Sequence, residues 1–242
     1  MTHTYARAWI VAALAGAFAF ASLANAYVVS PLIFYLTPTG DDARAFVTIE
    51  NTHDFPLTLE LSTTRREVGP DGTEAEQDAS GDFVLFPPQL ILQPGAKQRV
   101  QVAYVGGPIP TSRAYRLVVQ QVEVGGGEED GDLAVGFKYN FRAGVYVVPE
   151  GAAFDVAVAS IEPADGGYLV TLTNAGNAHA VLTSGPWRAR DADGNEVVLD
   201  NEALPIKQAP LIAPGSERTA FVPTGALGSL GELASLSVEP TR

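Results

Sequence analysis

The sequence predicts an all-β protein built as two consecutive sandwiches. Apolar side chains return at every second position in one short run after another, the period of a strand with a single buried face. Clusters of Gly, Pro, Asn and Asp end each run, and up to Pro149 no ten-residue window carries the 3.6-residue apolar period of a helix. The strand pattern restarts after Pro149-Glu150-Gly151, which marks a junction between residues 27–149 and a smaller unit at 150–242.

In chain order, residues 1–26 read as a cleaved signal peptide. Arg7 supplies the positive start, Trp9 to Leu23 is apolar and small, and Ala24-Asn25-Ala26 is a small-x-small cleavage site. No later stretch is long and apolar enough to span a bilayer, so an exported, soluble product without membrane insertion is expected. Tyr27 to Leu36 is a strand broken by Pro31, which places it at an edge or makes it change sheet. Ala45–Asn51 and Leu57–Thr63 alternate on either side of the turn formers Asn51 to Pro56, and are expected as antiparallel neighbours. Glu74 to Asp82, acidic and nearly devoid of apolar residues, reads as a mobile surface loop.

Phe83 to Leu92 is kinked at Pro87-Pro88, where a cis bond is cheap. Strands follow at Gln98–Val105 and Ala114–Val124, and Gly125 to Asp132 is a flexible acidic hairpin loop. Beyond the junction, strands are expected at Phe154–Ile161, Tyr168–Thr173, Ala178–Arg190, Glu196–Leu199, Leu211–Ile212, Arg218–Val222 and Leu233–Val238, with Asp193-Gly194 as a hairpin turn.

Leu133 to Pro149 stands apart. Val135, Phe137, Tyr139 and Phe141 alternate with Gly136, Lys138, Asn140 and Arg142, giving one aromatic, apolar face and one polar face. From the residues alone, that apolar face belongs either to this protein's own core or to another chain.

Composition narrows the function classes. The net charge is −13, or −14 without Arg7, the only charge in residues 1–26, and no basic run exists. Nucleic acid, whose binding rests on phosphate neutralisation, is therefore a poor partner. There is no cysteine, and beyond residue 26 only His53 and His179 remain, so neither disulfides nor a metal centre is expected. Acidic pairs such as Glu128-Glu129 and Asp191 with Asp193 sit in Gly-rich turns without the apolar surround that would raise a pKa. No nucleophile elbow or His-containing triad is visible, so an enzyme is not expected and no cofactor is implied.

A series of motifs then resembles one family, the periplasmic chaperones of the chaperone–usher pilus pathway. It runs through Val29-Ser30-Pro31, Val47 to Asn51, Phe86-Pro87-Pro88, Leu92 to Gly95, Arg99 to Tyr104 and Gly107-Pro108. Arg113-Ala-Tyr-Arg-Leu117, Leu172-Thr-Asn174 and Ile212-Ala-Pro214 complete it, and the Ser-Pro opening with the Arg-Ala-Tyr-Arg-Leu motif looks most like the archaic branch. The resemblance implies two immunoglobulin-like sandwiches in a boomerang. It also implies a periplasmic location, pilus subunits and an outer-membrane usher as partners, and donor-strand complementation through strand 133–148. Val135, Phe137, Tyr139 and Phe141 fall where the family places its inserted side chains. Whether the free protein caps that strand by pairing as a homodimer is left open.

One departure matters. The better-known branch holds the subunit's terminal carboxylate with an Arg near the first strand and a Lys late in the donor strand, and Leu32 and Gly144 stand there. The resemblance then leaves Arg113, first, and Arg116, Arg142 and Lys138 as anchor candidates, a guanidinium fork suiting a carboxylate best. A second reading is a secreted adhesin or carbohydrate-binding envelope protein, with Trp187, Tyr146 and Tyr168 as sugar platforms.

Overall fold

The computed structural model describes residues 27–122 and 140–240. The first sandwich uses ten strands: β1 (Val28–Ser30), β2 (Ile33–Leu36), β3 (Arg44–Glu50), β4 (Leu57–Val68), β5 (Glu74–Asp78), β6 (Phe83–Phe86), β7 (Gln89–Leu92), β8 (Lys97–Tyr104), β9 (Arg113–Gln121) and β10 (Asn140–Val147). One sheet runs β1-β3-β8-β6, and the facing sheet runs β2-β10-β9-β4-β5 with β7 also on β4. Val47, Ile49 and Val100 from one sheet meet Leu59, Leu117 and Val145 from the other, all fully buried. Each contributes about 1.5–3 kcal/mol of burial.

Both proline-broken segments change sheets. The peptide before Pro31 is cis, with β1 antiparallel to β3 in one sheet and β2 parallel to β10 in the other. The peptide before Pro87 is also cis, with β6 on β8 and β7 on β4. β3 and β4, expected as neighbours, are not paired: β3 lies between β1 and β8, and β4 between β5 and β9. The turn between them crosses from sheet to sheet, a gap of about 10 Å. Asn51 holds the crossing by donating its side-chain amide to the carbonyls of Phe55 and Leu92, both at 2.9 Å.

Glu74 to Asp82 is not a loop throughout. Its first five residues form β5, paired with β4 from Thr64↔Asp78 to Val68↔Glu74. What holds it is this backbone ladder together with ion pairs to arginines rather than apolar burial, so hydrophobicity gave no sign of it.

The second sandwich uses β11 (Val156–Ala164), β12 (Gly167–Asn174), β13 (Ala180–Val181), β14 (Trp187–Asp191), β15 (Glu196–Leu199), β16 (Leu211–Ile212), β17 (Glu217–Pro223) and β18 (Leu233–Val238). Its sheets are β11-β12-β17 and β15-β14-β18, with β13 and β16 as a separate pair. The single strand expected over Ala178–Arg190 is split. Gly185 lies so close to the carbonyl of Glu239 that a Cβ would sit 1.7 Å from it, and the Trp187 indole donates to Leu182 O at 2.6 Å across the break. Short 3-10 turns at Asn201–Ala203 and Pro205–Gln208 fill a span without a strand signal.

The sandwiches meet through Ala114, Tyr146, Val148, Ala152, Ala178 and Leu211. The Ser112 amide donates to Asn177 O at 2.9 Å, and the His179 amide donates to Ser112 Oγ at 2.7 Å. The tip of the β4–β5 hairpin also reaches over. Pro70 O accepts from the Thr219 amide at 2.7 Å and from the buried Arg218 guanidinium at 2.9 Å. No helix among the described residues is long and apolar enough to cross a membrane.

Candidate functional site

The two faces of β10 have different owners. Ala143, Val145 and Val147 are fully buried in the first core. Phe141, the next residue on that face, is half-buried at the rim, its ring 4.7 Å from that of Tyr27. Tyr27 closes the core there, donating its hydroxyl to Val119 O at 2.6 Å. Burial pushes the Tyr27 phenol up to about 12, partly offset by the Phe141 backbone. Val135, Phe137, Lys138 and Tyr139 lie outside the described residues, as do residues 1–26 and Gly125 to Asp132.

The edges of β10 also differ. Along its whole length it pairs with β9, from Asn140↔Gln120 to Val147↔Arg113. On the other side it pairs with β2 only from Gly144↔Ile33 onward. Among the described residues, the edge of Asn140 to Ala143 carries no partner strand. An open edge next to a sheet is a template for β-addition.

The polar face of β10 looks away from the core and carries Arg142, Gly144 and Tyr146. Gly144 donates its amide to Leu32 O at 2.7 Å and stands opposite Arg116 of β9. Leu32 and Ile33 are about half exposed beside it. Tyr146 is covered by the domain junction, its ring in contact with those of Tyr35 at 5.4 Å and His179 at 4.2 Å.

The four cation candidates separate. Arg116 and Arg142 converge on Glu76: Arg116 Nη1 is 3.0 Å from Oε1, Arg142 Nη1 is 2.5 Å from the same oxygen, and Thr64 donates its hydroxyl to Oε2 at 2.9 Å. Glu74 bridges Arg116 and Arg66 with short ion pairs to both. Arg113 has the opposite facing on β9, beside Tyr115, whose hydroxyl donates to Asp82 at 2.9 Å. Hydrogen bonding to Tyr115 holds the Arg113 guanidinium above its ordinary range, and burial raises the Tyr115 phenol. Lys138 lies outside the described residues. Glu74 and Glu76 were missed as site residues; Glu74, Glu76 and Asp78, alternating with Ala75 and Gln77, carried a strand period that could have shown them.

Two of the sugar platforms fail on geometry. Trp187 is fully buried and Tyr146 nearly so, and neither offers a free ring face. Asp191 shapes a turn, accepting from the amides of Asp193 and Asn195 and from the Asn195 side chain. Among the described residues no group of three His, Asp or Glu side chains could hold a metal.

The fold is that of fimbrial chaperones. The chain resembles the class 5 fimbriae chaperone CfaA, with a TM-score of 0.61 at 14% identity over 90% of this chain and 92% of that one. It also resembles a chain of a chaperone–tip adhesin complex of CFA/I fimbriae biogenesis, at 0.60 and 13%, with the same coverage. A third is from the CsuC–CsuE chaperone–tip adhesion subunit pre-assembly complex of archaic chaperone–usher Csu pili of Acinetobacter baumannii, at 0.55 and 13% over 89% and 93%. No curated protein matches by sequence. Together these show the two-sandwich fold. Residues 34–153 match the PapD N-terminal domain of the pili and flagellar-assembly chaperones, and this part of the chain belongs to that family.

Proposed function

We propose that this chaperone works in the periplasm, stabilises pilus subunits by donor-strand complementation through strand 133–148, and delivers them to an outer-membrane usher. The observation that carries the reading is the open edge of Asn140 to Ala143, directly preceding the stretch where β2 covers β10. A subunit strand added there gains main-chain hydrogen bonds from β10. Val135, Phe137, Tyr139 and Phe141 supply side chains to a groove in that subunit, the first three for about 1.5–3 kcal/mol of gross burial each and the already half-buried Phe141 for less, offset by the cost of ordering both chains. Location and usher delivery rest on the family. For the subunit's terminal carboxylate, Arg116 and Arg142 replace Arg113 as the assigned anchor, because they share the face of Gly144 while Arg113 points to the other side of β9.

Co-expression with a cognate pilus subunit tests this. The wild type should yield a stoichiometric periplasmic complex, and Phe137→Glu with Tyr139→Glu should abolish it while leaving the chaperone folded. A complex that survives the double substitution removes the donor-strand reading.

A further inference from the structure

Glu76 makes the contacts with which a protein binds a foreign carboxylate: two guanidinium groups on one oxygen and a hydroxyl on the other. It comes, however, from the periphery. β5 is the outermost strand of its sheet, and Glu76 is its only part-buried residue. Arg116 and Arg142 instead project from β9 and β10, whose opposite faces are locked in the core. The cations are thus rigidly rooted, while the anion can withdraw without disturbing apolar packing.

The partners are arranged for exchange. If Glu76 leaves, Arg116 keeps Glu74, and Glu74 keeps Arg66, so the guanidinium of Arg116 stays oriented. Arg142 has no other ion pair among the described residues, so its charge becomes available. Gly144 lies beside both arginines on the same face, opposite Arg116 and two residues from Arg142, so no side chain of its own stands between them.

We propose that Arg116, Arg142 and Thr64 form a carboxylate-exchange site, filled by Glu76 in the free protein and by the terminal α-carboxylate of an extended polypeptide laid along the open edge of β10 in the complex. The inference rests on the donor-strand reading. Glu76 keeps two like charges from facing each other while the site waits. It also sets a threshold, since only a carboxylate delivered by a docked strand has the effective concentration to displace a tethered one. The site therefore rejects stray carboxylates and accepts a correctly registered chain end.

The probe is a pair of synthetic peptides copying the last strand of a co-purifying pilus subunit, one ending in a free carboxylate and the other in a carboxamide. Affinities are measured by calorimetry for the wild type, Glu76→Gln, Glu76→Asp and Arg116→Ala with Arg142→Ala. Glu76→Gln should tighten the acid peptide by about tenfold, the scale of one charge-assisted hydrogen bond, and leave the amide within about twofold. Glu76→Asp, too short to reach both arginines, should shift the same way by less. The double arginine variant should bind acid and amide alike. An acid peptide no tighter in Glu76→Gln and Glu76→Asp overturns the exchange while amide binding upholds the donor strand. If neither peptide binds the wild type, the donor-strand reading falls and the exchange with it.

Discussion

Gly144 stands directly opposite Arg116 and donates its amide to Leu32, so the two positions where the better-known branch carries its anchoring cations are hydrogen-bonded neighbours without a charge between them. In the function proposed here the cation stands one strand over, at Arg116. Arg116→Ala should therefore speed dissociation of the chaperone–subunit complex about tenfold. Gly144→Lys in that background should restore most of the loss, since the new side chain rises on the same face. Its Cβ would meet the Tyr146 ring at 3.3 Å, a contact that a small shift relieves. Dissociation rates of the purified complexes are the readout, and a Gly144→Lys substitution that rescues nothing would show that this face does not hold the carboxylate.

The β4–β5 hairpin should act as a strut between the sandwiches. The buried Arg218 guanidinium is held by the carbonyls of Pro70, Thr219 and Ala209, and burial lowers its pKa. Gly72 (φ 87°) lies against it, and a Cβ there would sit 2.2 Å from Nη2. Gly72→Ala pays the left-handed backbone cost of about 1 kcal/mol and displaces the arginine as well. Gly95→Ala (φ 72°), with open space around the position, carries only the backbone term. Thermal unfolding should show the larger loss in Gly72→Ala, and equal losses would mean that the strut bears no load.

Tyr27 makes the first sandwich sensitive to alkali. Its folded pKa of about 12 lies above the ordinary 10.0 because burial disfavours the phenolate. The resulting stability is fully present below pH 10 and is lost as pH rises toward 12, roughly 2–3 kcal/mol in all. Tyr27→Phe should cost about 1 kcal/mol at neutral pH through the lost bond to Val119, and should flatten the fall between pH 10 and 12. Chemical denaturation across that range checks both.

Much of this was legible in advance because it depends on period. The alternation at Val47 and Ile49, at Leu57, Leu59 and Leu61, and at Val100 and Val102 states directly which side of a strand is buried. Pro31 also announced an edge or a sheet change, whereas Pro87-Pro88 announced only a kink, and the sheet change there came from the structure. Pairing was less legible: Asn51 to Pro56 looks like a hairpin turn, and only the distant Leu92 carbonyl reveals that it crosses the sandwich. The site was the least legible. Apolar alternation cannot show a strand such as β5, whose hold is charge, and which arginine meets Glu76 depends on strand order rather than on sequence spacing.

In the second sandwich, Asp191 should confer acid sensitivity. Hydrogen bonds from the Asn195 side chain first, and from nearby backbone amides, hold its carboxyl below the usual 3.8. Its contribution is present above that value and is lost as pH falls through the lower folded value. Asp191→Ala should be clearly less stable than wild type at pH 7, and the gap should narrow below pH 4. A gap that stays constant would mean the carboxylate's charge is irrelevant to the turn.

Hydrogen exchange reads whether strand 133–148 lends its edge to a subunit. Amide exchange across residues 133–143 is compared in the free chaperone and in its purified complex with a pilus subunit. Alternate amides in that stretch should slow by at least about tenfold, with little change in β4 and β8. Unchanged exchange from 133 to 143 in a stable complex would place the subunit elsewhere on the chaperone and rule out donor-strand complementation through this strand.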